Sequence, residues 1–151
     1  MFAVRHVQGR IGAGTYLLTM SVTALLRSVS TIFLCEKFAD AGQLTRDELS
    51  LLVSFFGGLV GLVFYPLSAG RLRDLNFPGW SVSVLAFPLI GVMVLPVLCF
   101  LSGSRWDNEY GNAPVASGFL KVTAAVVLCF VAILVSYEAL TAFLYARYSL
   151  R

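Results

Sequence analysis

The chain has 151 residues, of which 58% are hydrophobic and 13% charged, with a mean hydropathy of +0.84. A soluble domain carries about twice that charged fraction, so the composition excludes an ordinary water-soluble globule and fits one integral membrane domain spanning residues 1–151. The formal net charge of +3 is small and dispersed. No basic run suits a nucleic acid, and membrane lipids are the expected partner.

A helix needs about 20 residues to cross the hydrocarbon core. Four apolar stretches meet that length: about Gly12–Leu34, Leu49–Ala69, Trp80–Leu101 and Gly118–Tyr145. The first is too long for the apolar region of a signal peptide and lacks a small-residue cleavage site, so it is expected to remain as a helix. The connection that follows is polar and mixed in charge. Its Thr45–Glu48 segment has the form of a capping box, in which Thr45 accepts a backbone hydrogen bond and Glu48 returns one, and it predicts the start of the second helix.

In that second helix Gly57 and Gly61, with Gly58 beside them, strip side chains from one face. Close packing inside the bundle is the expected use, with an oligomer interface as the alternative. The helix runs past Pro66 and Gly70 into Arg71, Arg73 and Asp74. Asn76, Pro78 and Gly79 then make a turn, and Trp80 stands where an interfacial aromatic anchor belongs. Two arginines fixed at a membrane surface, with Asp74 orienting one guanidinium, suit a phosphate or a lipid headgroup.

Pro88 and Pro96 interrupt the third stretch, with Gly91 between them. Proline removes a backbone hydrogen bond, so this segment either kinks and crosses or breaks and re-enters. Counting charge does not choose between these outcomes. Four crossings place Arg5, Arg10, Arg71, Arg73, Arg147 and Arg151 inside, against Lys37, Arg46, Arg105 and Lys121 outside; a re-entrant segment exchanges Arg105 and Lys121 with Arg147 and Arg151 and keeps the ratio. Both counts favour a cytoplasmic N-terminus. Length favours crossing, since about 22 residues fill one span and leave little for two half-helices. The expectation is therefore an all-α, four-helix transmembrane bundle with a proline-kinked third helix and both termini cytoplasmic. Arg71 and Asn108 then lie on opposite faces, about 30 Å apart.

The loop from Gly103 to Pro114 holds Asp107, Asn108, Glu109 and Tyr110. A hydrogen-bonded turn is expected, with Asn108 bonding its own backbone and Gly111 at positive φ. Arg27 and Glu138 lie within apolar spans, where an ionised group is costly and usually paired or facing a polar cavity. With four crossings they are separated by roughly 15 Å along the bundle, near the limit of their combined reach, whereas a re-entrant third segment lets them meet. Cys35, Cys99 and Cys129 have no metal-ligand spacing and His6 adds no partner, so neither a metal nor a cofactor is expected.

The two loops together resemble the signature of a bacterial inner-membrane family known as domain of unknown function 805. Its first loop reads approximately R-R-L-H-D-x-G-x-S-G-W, matched here by Arg71, Leu72, Asp74, Gly79 and Trp80. Its second reads approximately G-T-x-G-x-N-x-Y-G-x-x-P, matched by Gly103, Asn108, Tyr110, Gly111 and Pro114. An N-terminal G-R-x-x-R-x-E-Y-W pattern is echoed by Gly9, Arg10 and Tyr16. The departures are Arg73 in place of histidine, Asn76 and Pro78 in place of glycine and serine, and Ala13 and Thr15 in place of arginine and glutamate. The resemblance covers about residues 5–114, leaves out the last helix, and implies a bacterial inner membrane.

Three readings of function follow. The leading one is a non-enzymatic accessory subunit, or a component of a membrane assembly that binds lipid or a partner, docking a protein or a second copy through the polar loops and the Gly57–Gly61 face. The alternative is an oligomeric channel or transporter using Arg27, Glu138 and the broken third span. An enzyme acting on headgroups through Asp107 and Glu109 is the weakest, because no nucleophile or metal ligand stands beside them.

Overall fold

The computed structural model describes residues 9–39 and 44–150; Arg5, His6, Arg151 and residues 40–43 of the first connection, all used in the reasoning above, lie outside the described residues. Along the chain come α1 (Ala13–Leu34), a π-helical turn (Cys35–Ala39), α2 (Arg46–Asp74), a 3₁₀ helix (Gly79–Ala86), α3 (Pro88–Phe100) and α4 (Phe119–Ser149). Every regular element among the described residues is helical. An all-helical chain satisfies its backbone polar groups within each segment, as a hydrocarbon environment demands. Three stretches, Ala13–Phe38, Arg46–Asp74 and Phe119–Ser149, are long and apolar enough to cross a bilayer, which makes this a multi-pass membrane protein.

Local signals set the ends of the long helices. At the start of α2 the Thr45 N–H donates to Glu48 Oε2 at 2.8 Å and the Glu48 N–H donates to Thr45 Oγ1 at 3.4 Å, which closes the expected capping box. Along α4 the buried residues Ala125, Ala132, Ala139 and Ala146 recur every seventh position. Residues seven apart stack on one helical face, so α4 turns a smooth alanine stripe to protein. Phe130, Ile133, Leu134 and Leu140 point outward, as apolar side chains do when the surrounding solvent is lipid.

The chain forms two compact units, one from Met1–Leu18 and Tyr65–Ala125, the other from Thr19–Phe64 and Val126–Arg151. In the second unit Cys35, Leu49, Ala146 and Leu150 form a buried cluster, with Val53 and Phe143 packed against it. Ser28 and Ser136 share a hydroxyl hydrogen bond of 2.9 Å between α1 and α4. Arg46 Nη2 donates to the Leu150 carbonyl at 3.3 Å.

The first unit contains the third apolar segment, and here the expected crossing fails. The 3₁₀ helix and α3 meet at an angle of 110°. Phe87, the residue before Pro88, is extended at φ −71° and ψ 117°, as a residue preceding proline prefers. Gly91 allows the fold-back, because a Cβ there would lie 2.5 Å from the Leu85 carbonyl oxygen. The segment ends beside its own beginning: the Ser104 N–H donates to the Asp74 carbonyl at 3.0 Å. Arg71 and Asn108 therefore do not lie on opposite faces, and the four-crossing arrangement with both termini on one side loses its basis. Length allowed one span, but proline and glycine spaced for a turn made a hairpin of it.

Candidate functional site

The polar centre of the first unit is built around Asp74, the last residue of α2. Asp74 Oδ1 accepts from Arg10 Nε at 3.2 Å and Arg10 Nη2 at 3.0 Å, while Oδ2 accepts from Arg71 Nη1. Side-chain exposure is 3% for Asp74, 1% for Arg10 and 0% for Arg71. Two guanidiniums against one carboxylate leave one surplus positive charge away from solvent. Backbone carbonyls solvate it. Arg10 Nη1 donates to Trp106 at 3.0 Å and to Gly111 at 2.9 Å, and Nη2 donates to Ser104 at 2.7 Å. All five guanidinium N–H groups of Arg10 are thereby used. Arg71 donates from Nε to the Leu98 carbonyl at 2.9 Å, from Nη2 to that of Leu101, and from Nη1 to that of Ile11 at 3.4 Å. Leu98 and Leu101 lie in the last turn and at the cap of α3, whose final carbonyls lack helical partners and carry the negative end of its dipole. Arg71 is thus the cap of the hairpin's returning helix.

This geometry divides the residues picked out from sequence. Arg71 and Asp74 are consumed by the network, and Asp74 orients two arginines rather than one. Arg10, which the sequence offered only as an echo of a family pattern, is the residue that ties the N-terminal segment to both loops. Gly103 has a steric reason: a Cβ there would fall on the Asp74 carboxylate.

The turn after α2 is a Schellman motif. The Phe77 N–H donates to the Leu72 carbonyl at 2.8 Å and the Asn76 N–H to that of Arg73 at 3.0 Å, with Asn76 at φ 65°. Asparagine is among the few non-glycine residues that enter this left-handed region at low cost, which accounts for its standing where the resembling pattern has glycine. The Arg73 carbonyl also accepts from Asn108 Nδ2 at 2.9 Å, so the two loops touch directly.

The second loop is the expected hydrogen-bonded turn. Asn108 Oδ1 accepts the Tyr110 N–H at 2.9 Å, Asn108 and Gly111 exchange backbone bonds of 3.1 Å, and Gly111 has φ 120°. Asp107 Oδ1 accepts the Ala113 N–H at 3.0 Å, which gives that carboxylate a structural task. Beside the loop a cleft of ≈ 410 Å³ is lined by Gly12, Ser104, Arg105, Pro114 and Ser117 among others. Its walls are mostly backbone and small side chains.

Arg73 differs from its neighbours. Its Nε is shielded by protein and has no hydrogen-bond acceptor among the described residues, and neither ion pair among them includes it. The guanidinium rests on Gly79, where a Cβ would lie 2.7 Å from Nη2 and 2.8 Å from Nε. Trp80 follows at 71% exposure, and Phe77 precedes at 54%.

The intramembrane charges do not pair. Arg27 and Glu138 are both exposed in the second unit, and no ion pair among the described residues joins them. Arg27 lies across α2 instead, its Nε 3.4 Å from where a Gly57 Cβ would stand. Nothing lies within 4 Å of such a Cβ at Gly58 or Gly61, so those two glycines are not the close helix contact expected of them within this chain. Among the described residues no group of three or more His, Cys, Asp or Glu is placed to hold a metal ion.

The sequence model of one family, described as a protein of unknown function (DUF805), matches residues 4–112. That range includes Arg10, the first loop, the hairpin and the second loop as far as Asn112. No curated protein and no solved structure matches the chain.

Proposed function

We propose, for a chain that belongs to the DUF805 family, that it is a non-enzymatic component of a bacterial inner-membrane assembly, holding lipid or a partner protein at its first unit. The observation that carries this reading is the network around Asp74. Arg10, Arg71 and Asp74 spend their polar groups on protein, Asn108 ties the second loop to the first, and one oxygen of Asp107 holds its own loop. What results is a cross-tied platform whose exposed residues include Trp80, Trp106 at 81% exposure and Phe119 at 87%, beside Arg105, Asp107 and Glu109. Amphipathic aromatic rings favour the headgroup region of a bilayer. A surface of that kind suits docking better than turnover, which needs a nucleophile or base with free valence.

The same reading implies a topology. The first unit holds five of the described basic residues, namely Arg10, Arg71, Arg73, Arg105 and Lys121. The positive-inside tendency assigns those residues to the cytoplasm. With α1, α2 and α4 as three crossings and the hairpin returning to its own side, the N-terminus is cytoplasmic and Arg151 is external.

The test is native mass spectrometry of the protein extracted in mild detergent, with a reporter fused after Arg151. Lipid or protein retained on the chain and an external reporter are expected. A bare monomer would defeat the docking reading, and a cytoplasmic reporter would defeat the topology. The channel reading keeps its broken segment but not its charged pair, and liposomes that leak no more than empty vesicles would remove it.

A further inference from the structure

We infer that Arg73 is a phosphate-binding residue that takes the headgroup of an anionic phospholipid at the membrane surface. The proposal rests on the docking function above and assigns its ligand and its site. Of the three arginines on the polar end of α2 and the segment before α1, Arg10 and Arg71 give four or more guanidinium N–H bonds each to protein. Arg73, two residues from Arg71 on the same helix, joins no ion pair among the described residues. Its carboxylate neighbour Asp74 is already shared by the other two.

A guanidinium left this way in a nearly apolar chain needs an anion. Arg73 is also held in place. Its backbone carbonyl is fixed by Asn108 Nδ2 and by the Schellman turn, and its side chain lies on the bare backbone of Gly79. Nε is covered and Nη2 packs with it against Gly79, which leaves Nη1 and the outer N–H of Nη2 to meet a ligand. A planar fork held at one edge matches two oxygens of a phosphate better than a mobile ammonium would.

The depth is right for a headgroup. Phe77 and Trp80 bracket the turn and are exposed, which marks the interface on that side of the membrane. The apolar 3₁₀ helix and α3 begin immediately after it, where acyl chains would lie. A phosphate bound at Arg73 thus has an aromatic and aliphatic surface ready for the rest of the lipid. Inorganic phosphate offers the same oxygens without that second contact, so the two sources separate by experiment.

The protein is reconstituted in nanodiscs of phosphatidylcholine with phosphatidylglycerol, and bound phosphatidylglycerol is counted by native mass spectrometry. Arg73→Gln is expected to weaken retention about fivefold, the effect of one basic residue at an anionic surface. Arg147→Gln, an exposed arginine at the other end of α4, is expected to leave it unchanged. Arg73→Lys keeps the charge and is expected to recover part of the binding, which separates a lost ligand from a lost fold. Added inorganic phosphate is expected not to displace the lipid; displacement that depends on Arg73 would support the phosphate chemistry with a soluble anion as its source. Equal retention by wild type and a folded Arg73→Gln would overturn the assignment while leaving the docking function in place. No enrichment of phosphatidylglycerol by the wild type would overturn both.

Discussion

Arg71 and Arg27 are both arginines on long apolar helices, and the protein treats them in opposite ways. In the first unit Arg71 is fully buried, bonded to one carboxylate and three carbonyls, and coupled through Asp74 to Arg10. In the second unit Arg27 is exposed and lies along the glycine of a neighbouring helix, with no carboxylate partner among the ion pairs of the described residues. The difference shows what a buried charge needs in this fold. Three separate chain segments converge on Asp74 and supply acceptors for the surplus proton donors, whereas Arg27 lies exposed over the bare backbone of Gly57. There the long apolar stem of arginine allows the charged head to seek a polar surface.

The comparison breaks most easily at Asp74. Asp74→Asn keeps the shape and removes the charge, leaving Arg10 and Arg71 with no counter-ion at 1% and 0% side-chain exposure. Removing one partner of a buried pair costs about 3–5 kcal/mol. The folded fraction after heating in detergent should collapse relative to wild type, and thermal unfolding reads it directly. An unchanged midpoint would mean that the carbonyls alone hold the two arginines and that Asp74 adds little.

A smaller effect separates the backbone of the polar end from its charges. Asn76 sits at φ 65°, so Asn76→Ala keeps a Cβ in the left-handed region but loses the polar side chain that makes it tolerable, at a cost of about 1–2 kcal/mol. Asn76→Gly removes that penalty and should match the wild type within about 0.5 kcal/mol. If alanine and glycine prove equally stable by thermal unfolding, the turn does not hold the loop against Asn108, and the network is carried by side chains alone.

How much of this was legible depends on the range of the contact. The capping box at Thr45–Glu48, the Asn108 turn and the positive φ at Gly111 are encoded within a few residues, and the chain adopts them. The three long helices follow from apolar length. The hairpin was harder, because a kinked crossing and a fold-back have the same hydropathy and the same six-to-four basic count. What decides it is the proximity of Asp74 to Ser104, which no local pattern states. Arg10 was harder still. Its bonds join residues 64 to 101 positions apart, and a lone arginine before an apolar helix reads as an ordinary positive-inside residue. Only the family pattern gave it a signal. Gly61, four residues after Gly57, shows the converse failure. The pair has the spacing of a packing motif, but among the described residues nothing lies within 4 Å of where a Cβ would stand at Gly61.

The smallest expected effect lies with Arg27 and Glu138, and it sharpens the comparison by its size. If the two were a hidden ion pair, a double-mutant cycle would give a coupling energy of about 0.5–3 kcal/mol, the range for residues in contact. Two exposed groups with separate surroundings should instead add. Arg27→Met preserves the unbranched stem across Gly57 while deleting the charge, and Glu138→Gln preserves the shape of the carboxylate. Each alone should move stability by no more than about 0.5 kcal/mol, and the coupling should fall within about 0.5 kcal/mol of zero. The same cycle on Arg10→Met and Asp74→Asn should give a clear interaction, because both members share one buried network. A strong coupling at Arg27 and Glu138 would mean that the second unit closes around its charges in the bilayer. The contrast drawn between the two regions would then belong to the isolated chain and not to the protein in its membrane.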